Sequence, residues 1–133
     1  MAACWPGPRI GEKFDGGGII ANGAVAFSEI QSQVFTRSCL GSSCHEGLPP
    51  RDAPMSLETG QGYAEMVGIS ATQTTGKRVI PGDPANSYLI QKLRGTAQSV
   101  GGVATRMPLN APPLDPATIA AIEAWIARGA PND

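Results

Sequence analysis

Read from its apolar positions, the chain has four short segments at helical spacing, separated by long irregular stretches. In the first, Ser28-Glu29-Ile30-Gln31 reads as a capping box. The Ser28 hydroxyl and the Gln31 side chain would satisfy free backbone amides there. Phe27 precedes the cap, Ile30 and Val34 share one face with Phe35 beside them, and the helix is expected to run to about Ser38. Tyr63, Met66 and Val67 share a face in a second, shorter helix that ends before Gly68. A polar stretch from Ser70 to Lys77 follows, and then the turn Arg78-Val79-Ile80-Pro81-Gly82-Asp83-Pro84. Asp83 is expected to cap a third helix with Pro84 in its first position, where a missing N–H costs nothing. Tyr88, Leu89 and Leu93 would form the buried stripe of that helix, and Gly95 would stop it. The fourth pattern is the clearest. Asp115 caps, Pro116 starts, and Ile119, Ile122 and Ile126 repeat with Trp125 beside them. Arg128 complements the C-terminal dipole and Gly129 ends the helix. No segment alternates with period 2, so the fold class is read as all-α: four short helices and long loops.

Residues 5–26 are rich in Gly and Pro and lack helical periodicity. The chain therefore divides into an irregular arm over 1–26, with Trp5 or the Ile19-Ile20 pair as anchors, and one domain over 27–133. A length of 133 residues suits a single domain with a real core. The 17 glycines and 12 prolines keep it loop-rich, just below the share at which disorder is expected. A formal charge of −1 shows no basic excess, which argues against a nucleic-acid partner. No apolar run approaches the roughly 20 residues that span a bilayer.

The chemistry concentrates in Cys39-Leu40-Gly41-Ser42-Ser43-Cys44-His45, which contains the only histidine of the chain. Two cysteines followed directly by a histidine form the pattern of covalent c-type haem attachment, usually C-x-x-C-H. Each thiol adds across a haem vinyl group to make a thioether, and the adjacent imidazole becomes the proximal iron ligand. Here four residues separate the cysteines instead of two. On the heptapeptide alone other readings stay open. Cys39 and Cys44 could close a disulfide loop, or form a thiol redox site, although no βαβ pattern accompanies them. A closed zinc site would need four ligands, and the chain offers Cys4, Cys39, Cys44 and His45. With three Phe, two Trp and two Tyr, the aromatic mass is modest, and a buried macrocycle would add to the core. At about 25 cal/mol per Å², several hundred Å² of haem would contribute at most on the order of ten kcal/mol.

A second axial ligand would come from Met1, Met55, Met66 or Met107. Met66 lies on a helix face with Tyr63 and reads as core. Met55 follows His45 by ten residues, which is tight for reaching the opposite haem face. Met107 lies 62 residues downstream of His45 in a loop braced by Pro108, and is the preferred candidate.

The order of a helix, Cys-Cys-His, the Val79-Ile80-Pro81-Gly82-Asp83-Pro84 segment, Arg106-Met107-Pro108 and the ending Trp125-Ile126-Ala127-Arg128-Gly129-Ala130 resembles the class I cytochrome c superfamily. It is especially similar to cytochrome c domains common in planctomycete and other bacterial proteins. The resemblance covers about residues 27–130. It implies a small helical bundle around one haem c, with the first and last helices crossing near one edge. It also implies thioethers at Cys39 and Cys44, His45 as proximal ligand and Met107 as distal ligand. The wider cysteine spacing departs from the family pattern, and Leu40 to Ser43 would bulge outward to leave His45 in place. Arg78 is a candidate partner for a haem propionate, with a solvated loop charge as the alternative.

The expected function is electron transfer between redox protein partners. A haem enzyme or gas-binding module with an open distal site is the alternative, and a haem-free module stapled by Cys39–Cys44 is a third. Haem attachment of this kind requires export, so a periplasmic or otherwise exported protein is expected, with the sequence beginning near a mature N-terminus. Ala2-Ala3-Cys4 resembles the end of a bacterial lipoprotein signal, which would anchor the protein through Cys4. A solvent thiol is the alternative there, and membership of a larger respiratory or photosynthetic complex is open.

Overall fold

The computed structural model describes residues 25–41, 44–47 and 54–133. Met1, Cys4, Trp5 and the Ile19-Ile20 pair lie outside the described residues, as do Ser42, Ser43 and Leu48-Pro49-Pro50. The regular structure is helical. Among the described residues there is no strand, only isolated bridges such as Val67 with Val79 and Ser70 with Lys77. No helix among these residues is long and apolar enough to cross a membrane.

The first helix, α1, covers residues 27–38. It is α-helical over Phe27–Ile30, widens to a π-helical turn over Gln31–Phe35, and returns to α over Thr36–Ser38. The burial pattern gives a reason for the widening. Buried positions come in pairs, 30/31, 34/35 and 38/39, repeating every four residues. An ordinary helix turns once in 3.6 residues, so the third pair would rotate about 80° away from the first. The wider π turn takes back much of that rotation. Phe35, Ser38 and Cys39 therefore stay on the inward face.

The capping box expected at Ser28 does not form. Ala26 is the extended residue before the helix, no side chain of its own caps it, and Ser28 is exposed. Residue 133 does that work instead. The Phe27 amide donates to Asp133 Oδ1 at 2.9 Å and the Ser28 amide to the Asp133 carbonyl at 2.9 Å. Gln31 turns inward and donates from Nε2 to the Leu57 carbonyl at 2.7 Å.

The second helix, α2, is Gly62–Met66, and α3 is Tyr88–Arg94. Asp83 and Pro84 do not begin α3. They form a turn in which Asp83 Oδ1 accepts from the Asn86 amide and the Ser87 hydroxyl donates to the Asp83 carbonyl. The amides of Tyr88 and Leu89 then donate to the carbonyls of Lys77 and Arg78 at 3.0 and 2.9 Å, so tertiary pairing fixes the start. Gly95 ends α3 in the left-handed region, φ 75°, as expected of a C-terminal glycine. A short 3₁₀ turn, Ala97–Val100, occupies part of the loop read as irregular.

The last helix, α4, is Pro116–Ala127, and Asp115 accepts from the Thr118 amide as expected. Its stripe of Ile119, Ile122, Trp125 and Ile126 is buried. The Phe27 ring lies 5.2 Å from both Trp125 and Tyr63, centroid to centroid, which joins α1, α2 and α4. Both polar handles are used: Trp125 Nε1 donates to the Pro131 carbonyl and the Tyr63 hydroxyl to the Ala130 carbonyl. Arg128 reaches beyond its helix, donating to the Val25 carbonyl at 2.6 Å and to Asp133 at 3.0 Å. On the other side of α3, the Tyr88 hydroxyl donates to Gln73 Oε1 and accepts from the Val103 amide, tying two loops together.

Candidate functional site

The helices leave a cleft of about 830 Å³, counting the space at its open mouth. Its wall includes Cys39, His45, Arg78, Lys92 and Met107 among mostly apolar side chains. Residues separated by 68 positions in sequence thus face one space.

The end of α1 delivers Cys39, whose amide still donates to the Phe35 carbonyl at 2.9 Å. The loop to His45 closes on itself. The Cys44 amide donates to the Gly41 carbonyl, and the His45 amide donates back to the Cys39 carbonyl at 3.2 Å. His45 is thereby held beside Cys39.

The imidazole has a defined orientation. His45 Nδ1 lies 2.9 Å from the Met55 carbonyl oxygen, which can only accept. Nδ1 therefore carries the proton, and Nε2 keeps its lone pair for a ligand. Burial holds the imidazole below its ordinary pKa, outweighing the opposing effect of that hydrogen bond, and Arg78 adds a smaller push in the same direction as burial. A neutral, hydrogen-bonded imidazole is the state in which histidine binds metals.

Cys39 is a free thiol, 7% exposed, and burial pushes its pKa up to about 12. Cys44 is also buried but does not belong to the cleft wall, and its sulfur is in a disulfide. Since Cys39 is free, the Cys39–Cys44 staple considered from the sequence is not formed. A thioether at Cys44 and a disulfide at Cys44 exclude each other, so attachment there requires reduction first.

Met107 is half-buried, next to the buried Pro108, and both line the cleft. The Met107 amide donates to the Lys92 carbonyl at 3.0 Å. Met66 is fully buried in the core as expected, with part of its surface on the cleft. Met55 contributes its carbonyl to His45 and its side chain to the wall.

Arg78 is not the solvated loop charge considered as an alternative. It is buried, donating from Nη1 to the Glu65 carbonyl at 2.7 Å and from Nη2 to the Pro54 carbonyl at 3.2 Å. The Glu65 carboxylate lies 3.7 Å from Nη1. The sequence pattern does not single out Lys92. It stands four residues after Tyr88 and three after Leu89, on the buried stripe of α3, and a lysine in an apolar stripe is the signal that could have found it. Burial pulls its ammonium below the ordinary lysine pKa.

Among the described residues, no group of three or more His, Cys, Asp or Glu side chains could hold a metal ion, and Cys4 of the zinc set considered from the sequence lies outside them. The cleft wall brings together one imidazole nitrogen, one free thiol and one thioether sulfur among mostly apolar side chains, with two cations beside them. Comparison with protein-family models, curated proteins and solved structures finds no match to this chain.

Proposed function

We propose that the cleft holds one covalently attached haem c and that the protein transfers single electrons between redox partners, in the manner of a class I c-type cytochrome. The observation that carries this reading is the His45 ring. Its Nδ1 proton is committed to the Met55 carbonyl, so Nε2 is the nitrogen left for iron in a cleft that also holds Cys39 and Met107. His45 would be the proximal ligand, Met107 the distal one, and Cys39 and Cys44 the thioether residues. Bound there, haem would supply a one-electron iron couple, with the methionine sulfur raising its potential. Arg78 would face the propionates as a buried cation already oriented by two carbonyls.

With both axial positions taken, the chain acts as a carrier and not as a catalyst. An open distal site would call for polar side chains aimed at a bound gas or peroxide. The Tyr88 hydroxyl and the Gln73 amide on the cleft wall are instead bonded to each other at 2.8 Å. Covalent haem attachment of this kind would require export, which is the location this reading carries with it.

The direct test is the mass of protein expressed with a c-type maturation system. The reading requires a gain of one haem, mapped by peptide analysis to Cys39 and Cys44. Folded protein without added mass would overturn it.

A further inference from the structure

We propose that Lys92 is the positioning residue for the Met107 sulfur. The inference rests on the haem reading above and adds to it the group that holds the distal ligand in place. Three hydrogen bonds on one residue fix the ligand loop. The Lys92 ammonium donates to the carbonyls of Val103, at 3.2 Å, and Thr105, while its backbone carbonyl accepts the Met107 amide at 3.0 Å.

The surroundings show why this clamp matters. Lys92 is 8% exposed and belongs to α3, which is packed in the core. The segment it grips is otherwise open to water, with Val103, Ala104, Thr105 and Arg106 all exposed. No helix or strand carries Met107, so its position depends on loop contacts. A buried ammonium with two carbonyl partners forms charge-assisted hydrogen bonds, stronger than neutral ones. The loop is thus tied to a rigid element directly before the ligand. The Arg106 side chain also runs close to Gly95 at the end of α3, where a Cβ would stand 3.4 Å from it.

The test compares wild type with Lys92→Met and Lys92→Arg. Methionine keeps the volume of the stripe and removes the ammonium, and the freed carbonyls of the exposed loop can turn to water, so the fold should persist. In oxidised holoprotein, Lys92→Met is expected to weaken or lose the far-red sulfur-to-iron band. It should also bind added imidazole about tenfold more tightly or better, a ratio within what charge-assisted bonds supply. Lys92→Arg, which keeps cationic donors, should restore the band at least in part. In haem-free protein, hydrogen exchange at the Met107 amide should quicken in Lys92→Met while the amides of α4 stay protected.

Wild-type protein with the far-red band, and a Lys92→Met variant with the same band and imidazole affinity, would overturn the positioning role and leave the haem reading intact. Wild-type protein without covalent haem would overturn both. Unchanged exchange at Met107 in the haem-free variant would overturn the clamp whatever the fate of the haem.

Discussion

At the scale of single residues, the site depends on which atoms are committed and which are left over. His45 spends Nδ1 on the Met55 carbonyl, and Met107 contributes a sulfur held by its loop. Substituting Met107→Ala should abolish the far-red band of oxidised holoprotein and let the reduced protein bind carbon monoxide, while the haem stays attached through sulfur. Cys39 gives a separate prediction that needs no haem. A thiol pushed up to about 12 is almost wholly protonated near neutral pH, and thiolate is the reactive form. In native haem-free protein, iodoacetamide should therefore modify Cys39 far more slowly than in denaturant, by a factor of at least about a hundred. Equal rates would mean that Cys39 is not buried as described. The heptapeptide pointed to Cys39, Cys44 and His45 as candidates, and of these Cys39 and His45 line the cleft. Nothing local announced Lys92 as a loop clamp, since its partners Val103 and Thr105 lie across a loop.

At the scale of elements, the sequence was most readable where the determinants are neighbours. Asp115-Pro116 starts α4 and Gly95 stops α3 because each acts within a few residues of itself. It was least readable where a distant partner wins. Ser28 and Gln31 form a good capping box on paper, yet α1 takes its cap from Asp133, and Gln31 is drawn inward to Leu57. Asp83 likewise spends its carboxylate on a turn, because Lys77 and Arg78 already satisfy the first amides of α3. The π turn in α1 could be seen in the four-residue repeat of buried pairs only after burial was known. The Asp133 cap is testable. Its carboxyl is held below its ordinary pKa, chiefly by the Phe27 amide and next by Arg128. A group whose folded pKa is depressed contributes stability above its unfolded pKa and loses it as pH falls through the folded one. Asp133→Asn should thus lower the melting temperature at neutral pH, with the gap to wild type closing as pH falls below about 4. The cost should sit at the low end of cap losses, about 0.5–1 kcal/mol, because the carboxylate is open to water. A gap that widened in acid would contradict the assignment.

At the scale of the whole molecule, one aromatic cluster closes the bundle on the side where α1, α2 and α4 meet, and the cleft opens among side chains of α1, α3 and the loops. Trp125 is fully buried, and its ring lies near both Phe27 and Tyr63. Trp125→Ala should cost about 3–5 kcal/mol, measured by denaturant titration. That is a large part of the 5–15 kcal/mol that holds a typical domain. The all-α class was legible because α4 and the first helix carry strong patterns and no segment alternates. How those helices enclose a cleft was not, since it depends on Tyr88 binding Gln73 and Val103 from two different loops. Gly102 is part of the same arrangement, as a Cβ there would stand 2.4 Å from the Tyr88 hydroxyl. Gly102→Ala should therefore destabilise by about 1–3 kcal/mol through forced movement of the ring.

The central claim is that His45 and Met107 hold the iron of a covalently bound haem between them. Absorption spectra of the oxidised and reduced protein, repeated after acid–acetone extraction, test it most directly. The account predicts haem that stays with the protein, sharp α and β bands on reduction, and a weak far-red band on oxidation. Retained haem without the far-red band would remove Met107 from the iron, and haem lost to the solvent would contradict attachment through Cys39 and Cys44.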